Sequence, residues 1–280
     1  MKLNYNKKYF LISAIILTIV IVLSTIAHHI FPWIMRVPDA IGPYTIEPIW
    51  IDLLTLDLGS LIISILVFYH SVKADGLLKA VSFLYGSIIF TGLEECFWIL
   101  SGRFGLIPFE TYFFTKGGMW FIEIPVFTCL GWYIIAWCSF YISRIIFTKK
   151  GYLFHASIAG IFAVSFDFFI DPVMVNLGST SIYKNAVGLW VWLTDPAQCF
   201  RIFSIPFYNF VGWFLVISIY ALLYEYALDT KRIERIGKTK AILEFYGLMP
   251  IFLAITVGLI MVAFFATTPL FGINLMPIPP

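Results

Sequence analysis

The sequence predicts an all-α integral membrane bundle of about seven transmembrane helices, with the N-terminus cytoplasmic and the C-terminus outside. Three observations carry this expectation. Of the 280 residues, 61% are hydrophobic and 12% charged, where a soluble domain carries about 25% charged residues; the mean hydropathy is +0.93. Seven apolar runs are each long enough to cross roughly 30 Å of hydrocarbon, which takes about 20 helical residues. Between the runs, thirteen basic residues fall on one side (Lys2, Lys7, Lys8, Lys73, Lys79, Arg144, Lys149, Lys150, Lys231, Arg232, Arg235, Lys238 and Lys240). Only five fall on the other: Arg36, Arg103, Lys116, Lys184 and Arg201. That imbalance orients the chain, so the net charge of +2 describes topology and not a nucleic-acid-binding surface. One polytopic domain, residues 1–280, is expected.

The first run, Tyr9–Phe31, has the basic start of a signal peptide. It is too long for one and no A-x-A-like site follows, so it reads as an uncleaved anchor. Pro32, Pro38, Pro43 and Pro48 then mark an irregular outer connection. The second run, Leu53–His70, opens beside Asp52 and Asp57. Five residues apart on an α-helix, these point about 140° apart and are expected at the interface, or with one of them turned inward. The third, Lys79–Leu100, contains Glu94 and Glu95; neighbours diverge by about 100°, so one is expected to face the interior and the other an adjacent helix.

The loop Gly102–Tyr112 is dense in glycine, proline and aromatics, as suits a compact cover over a bundle mouth or an aromatic interface belt. The fourth run, Met119–Phe147, carries Glu123 and Pro125 at its outer end, then Trp132 and Trp137. The fifth, Tyr152–Asp171, ends with Asp167 and Asp171, which share a helix face at i, i+4 before Pro172 stops the helix. The connection Val173–Ser204, with Trp190, Trp192 and Asp195, is too long to be structureless; part of it should lie along the membrane or re-enter the bundle. The sixth run, Ile205–Leu228, sets Asn209 about one turn below the outer surface. The seventh, Phe245–Phe265, has no ionisable residue and reads as packing or lipid-facing. No internal repeat or low-complexity tract is visible. Cys96, Cys129, Cys138 and Cys199 form no C-x-x-C and read as small apolar packing residues.

Although successive spans run in opposite directions, Asp52, Asp57, Glu94, Glu95, Glu123, Asp167, Asp171 and Asn209 all fall toward the outer ends. Charge within lipid costs at least about 2.5 kcal/mol per residue, so such groups usually face a bundle interior and mark function. An acidic layer floored by aromatics suits proton handling or a cation path. His28, His29, His70 and His155 lack the grouping of a membrane di-iron site, and no dinucleotide-binding glycine motif or P-loop is present. The last span lacks the lysine of a retinal protein. Ile99 stands where an intramembrane glutamate protease would need arginine. An Asp-rich, Mg²⁺-dependent prenyltransferase would need a stronger second motif than Asp52 and Asp57. Acid–base chemistry on an apolar substrate entering from the bilayer remains, without metal or redox cofactor. A protonated carboxylic acid can protonate an alkene, aromatic faces steady the carbocation, and an ionised carboxylate activates water or removes a proton.

Four segments carry a resemblance: Gly102–Tyr112, Ile124-Pro125 through Trp132, Asp167 through Asp171-Pro172-Val173-Met174, and Ile205-Pro206 through Asn209-Phe210-Val211-Gly212-Trp213. They look like the carotenoid 1,2-hydratase family, which includes the bisanhydrobacterioruberin hydratases, over about residues 94–214. The resemblance implies a cofactor-independent, multi-pass enzyme of the cell membrane that adds water across the terminal double bond of an acyclic carotenoid. Among the acids, Glu94, Glu95, Asp167 and Asp171 are the expected catalytic groups, with Asp167 or Glu94, each deeper than its acidic neighbour, as proton donor and Asp171 orienting the nucleophile; Tyr112, Glu123, Trp132, Asn209 and Trp213 are expected to face the substrate. The implied partners are an isoprenoid or carotenoid drawn from the bilayer, membrane lipid and other carotenoid-pathway enzymes, with no nucleic acid. Two departures stand out: Glu110 occupies a position where glycine is expected, and Ser179–Val187 reads as an insertion. A carotenoid end-group cyclase, which also begins by protonation, and a non-enzymatic acid-lined transporter or binding protein are the alternatives.

Overall fold

The computed structural model describes residues 5–30, 49–107, 109–176 and 189–275. The proline-marked connection after the first span and the Ser179–Val187 segment lie outside the described residues. Seven helices are long and apolar enough to cross a membrane: Phe10–Ile30, Leu53–Asp75, Leu77–Arg103, Val126–Ile146, Tyr152–Val175, Phe207–Leu228 and Lys238–Ala266. They match the seven apolar runs in order.

In full, the helices are α1 (Tyr5–Ile30), the short α2 (Ile49–Asp52), α3 (Leu58–Asp75), α4 (Leu77–Arg103), α5 (Val126–Ile146), α6 (Tyr152–Asn176), α7 (Phe207–Leu228), the short α8 (Thr230–Ile236) and α9 (Lys238–Ala266). The strands are β1 (Tyr112–Phe114), β2 (Trp120–Phe121), β3 (Ile124–Pro125), β4 (Trp190–Trp192), β5 (Arg201–Ile202), β6 (Ile205–Pro206) and β7 (Asn274–Leu275). All the strands sit at one end of the bundle and form a cap. Tyr112 pairs with Trp192 and Phe114 with Trp190 in the antiparallel β1–β4 ladder, so the two long connections lock onto each other.

This cap exposes a repeat that the sequence reading missed. A helix, a short strand, a two-residue hairpin ending in Ile-Pro and a second helix occur as α4, β1, β2–β3 and α5. The same string returns as α6, β4, β5–β6 and α7. In the hairpins, Trp120 pairs with Pro125 and Arg201 with Pro206. Their turns are built on positive φ at Ile122 (54°), Phe203 (54°) and Ser204 (64°), the twist that two-residue hairpins require. Since Pro125 and Pro206 are the N-caps of α5 and α7, those spans begin later than apolarity alone indicates. The β1–β4 ladder joins the two halves, which place Glu94 and Glu95 on the first helix of one and Asp167 and Asp171 on the first helix of the other.

Two further expectations need correction. Pro172 does not stop the fifth span: α6 continues to Asn176 with Pro172 inside it, as membrane helices tolerate when packing re-satisfies the freed carbonyl. Asp52 and Asp57 are both buried rather than divergent, because Leu53–Asp57 is a π-helical turn and i, i+5 then face the same way. Glu94 and Glu95 are both buried. Their helix α4 is 67% buried over its most apolar window, so neighbouring faces of it both meet protein.

The tightest seam is between α6 and α7. A Cβ on Gly160 would lie 2.1 Å from Ser218 Oγ and 2.7 Å from the Phe214 carbonyl oxygen, the close backbone approach that membrane helices use in place of hydrophobic drive. At the cap, His28 Nε2 meets Ile122 O at 2.6 Å, His29 Nε2 meets Gly118 O at 2.8 Å, and the Trp120 and Ile122 amides donate to Thr25 and Ser24. These bonds pin α1 to the β2–β3 hairpin. At the opposite end, Asp75 pairs with Arg144 at 2.7 Å and accepts from Tyr224, and His155 faces Glu225.

Candidate active site

The two acidic pairs converge beneath the cap. Asn209, in the first turn of α7, donates from Nδ2 to Asp167 Oδ2 at 2.9 Å and to Asp171 Oδ2 at 2.7 Å. One amide therefore holds both carboxyl groups of α6, and the i, i+4 spacing that put them on one face is what lets it reach both. Opposite them, Glu95 Oε1 accepts from Trp132 Nε1 at 2.8 Å and its Oε2 from the Tyr112 hydroxyl. Glu94 Oε1 accepts from Trp98 Nε1 at 2.6 Å, one turn along the same helix. The Trp132 and Trp213 rings stack at 3.9 Å with 25° between their planes.

Two spaces adjoin these groups. The larger, about 340 Å³, has Glu95, Asp171, Asn209, Trp132 and Trp213 at its inner end. Its outer end is formed by Gly59, Ser60 and Ile63 of α3, where Ile63 is half exposed on the flank of the bundle. A Cβ on Gly59 or on Gly131, which also lines this cavity, would meet nothing within 4 Å. The smaller, about 30 Å³, lies between Glu94, Glu95, Tyr208, Asn209 and Gly212. Glu95, Tyr112, Asn209, Trp132 and Trp213 border both.

The remaining candidates divide. Asp167 is fully buried yet lines neither space; it touches Asp171's partner Asn209 from behind. Glu123 stands apart in an ion pair with Arg103 at 2.9 Å. Asp57 Oδ2 accepts from the Met119 amide at 3.0 Å and so braces the cap. Among the described residues, no group of three or more His, Cys, Asp and Glu side chains is arranged as a metal site. The four cysteines are free, and burial pushes the Cys199 thiol up from its ordinary range.

Sequence reasoning did not single out Trp98, Tyr208, Gly59 or Gly131. The i, i+4 spacing of Glu94 and Trp98 was the signal for the first. Tyr208 adjoins Asn209, and its hydroxyl bonds Thr194 Oγ1 at 2.7 Å, a contact between distant segments that no local pattern encodes.

A family model described as carotenoid biosynthesis protein matches residues 56–279, which takes in both spaces and every residue lining them except Thr55. No curated protein and no solved structure matches the chain.

Proposed function

The chain belongs to the carotenoid biosynthesis protein family, and from that premise we propose that it hydrates the terminal double bond of an acyclic carotenoid or a related long isoprenoid. The observation that carries this reading is the apolar cavity between α3 and the inner carboxyl groups. Its outer end opens on the flank that a bilayer would cover, so a chain dissolved in lipid enters sideways and brings its end group to Asp171 and Glu95. The site needs neither metal nor redox cofactor for this reaction.

Asp171 is the proton donor in this account. It reaches the cavity, and like charges crowded on one amide in an apolar interior are eased when the Asp167–Asp171 pair carries a proton. The proton adds to the less substituted alkene carbon and leaves a tertiary cation. Trp132 and Trp213 present aromatic faces to that cation. Glu95, both of whose oxygens already accept hydrogen bonds, is arranged as the facing carboxylate. Asp167 and Asn209 position the donor. The enzyme acts in the cell membrane with the acidic layer at the outer side, a placement that rests on the distribution of Lys and Arg; its partners are membrane lipid and the enzymes that supply and consume the carotenoid.

A prenyltransferase reading is less well supported, because Asp57 faces the cap hairpin and not the cavity that contains Asp171. Expression in a host that accumulates an acyclic carotenoid tests the proposal. A pigment heavier by one water is expected. An isomeric cyclic pigment would instead identify an end-group cyclase, and unchanged pigment would refute both.

A further inference from the structure

The small space behind the tryptophan pair has chemistry of its own. Its volume of about 30 Å³ is enough for water, which needs about 10–15 Å³ of such space and two to four polar partners. Glu94, Glu95, Asn209 and Tyr208 line it and carry such groups. Tyr208 is bonded to Thr194 Oγ1 at 2.7 Å, and the Thr194 carbonyl accepts from Arg201 Nη2. Because Arg201 is partly exposed in the cap, this chain of polar groups leads from the outer end of the bundle to the space. Glu95 and Asn209 belong to its wall and to the wall of the apolar cavity, so a water there stands next to the end group without wetting the rest of the chain.

We propose that this chamber binds the nucleophilic water, and that its occupancy decides whether the cation ends as an alcohol or reverts to an alkene. The inference rests on the hydration reading above. After the alkene's π pair has taken a proton from Asp171, a lone pair of the water oxygen forms the C–O bond at the tertiary carbon. One water proton passes to Glu94 and the other remains in the hydroxyl. The net change is alkene plus water to tertiary alcohol, and the proton gained by Glu94 returns to the Asp167–Asp171 pair before the next turnover. With no water in reach, the cation instead returns a proton from a neighbouring carbon to the Asp171 carboxylate, and the C–H pair re-forms the alkene.

Gly212 offers a clean test. It lines the chamber, and a Cβ built there meets only Ile260 Cδ1, at an ordinary 3.6 Å. Gly212→Ala therefore puts a methyl where the water would sit without straining the helix packing. Proteoliposomes of wild type, Gly212→Ala and Gly258→Ala, a change on the exposed side of α9, would be given lycopene in D₂O. The wild-type and Gly258→Ala proteins should yield alcohol with deuterium on the protonated carbon. Gly212→Ala should form at least about tenfold less alcohol, while its recovered alkene gains deuterium, because protonation continues and water capture does not. Unchanged alcohol formation by Gly212→Ala would overturn the chamber's role, and so would loss of alcohol together with loss of deuterium exchange. No alcohol from the wild-type protein would refute the hydration reading itself.

Discussion

Gly131 separates the cavity's function from its structure more sharply than any carboxyl group does. It sits inside α5, in the second turn, where glycine costs roughly 0.5–1 kcal/mol relative to alanine, and a Cβ there meets nothing within 4 Å. Its free side opens on the apolar cavity. Gly131→Leu should therefore raise stability by about that amount while filling the space meant for the substrate. Because lipid is as apolar as the cavity, the lost affinity is a packing penalty and not a hydrophobic one. Overpacking costs about 1–3 kcal/mol, which is roughly a 5- to 150-fold fall in kcat/KM. Thermal unfolding in detergent and turnover in proteoliposomes would be read side by side. A Leu variant that turns over like wild type, or that loses activity only as it loses folded protein, would refute the claim that this cavity receives the end group.

Asn209→Leu removes two hydrogen bonds to carboxyl groups at once. In membrane bundles such bonds average about 0.6 kcal/mol each and reach about 1.7, so a destabilisation of about 1–3 kcal/mol in detergent unfolding should accompany a turnover loss on the order of 10²-fold. Gly160→Ala forces a methyl against the Phe214 carbonyl and Ser218 and should lower the unfolding midpoint and the amount of membrane-inserted protein, leaving the specific activity of what inserts within about threefold, since Gly160 lines neither cavity and lies about two helical turns from Asp167. For topology, a reporter fused after Lys240 should be cytoplasmic and one at the C-terminus outside; a cytoplasmic C-terminus would reverse the assignment of the acidic layer to the outer side.

Much of this molecule was legible because bilayer physics is legible. Seven runs of sufficient apolar length gave seven spans, since a backbone in lipid has few options but helix. Asp167 and Asp171 were found for the same reason: buried acids in an apolar run stand out, and i, i+4 fixes their shared face. Failures came where the local period changed. The Asp52–Asp57 relation was misjudged because a π turn re-aims the chain, and the β2–β3 hairpin was absorbed into a span because Trp120, Phe121 and Ile124 are as apolar as helix. The internal repeat rests on Ile-Pro capping hairpins and on the β1–β4 ladder, features of four or five residues with little composition in common. Which acids face the cavity was also out of reach, since depth along a helix does not predict access. Asp167 is the deeper residue, yet Asp171 lines the wall.

The most direct test of the site is the turnover of Asp171→Asn and Glu95→Gln per unit of membrane-inserted protein, in proteoliposomes supplied with an acyclic carotenoid. Hydration at this cavity predicts that each variant accumulates in the membrane and forms alcohol at least about 10²-fold more slowly than wild type. Alcohol formation within about twofold of wild type in both variants would show that the reaction takes place without these carboxyl groups and would contradict the account.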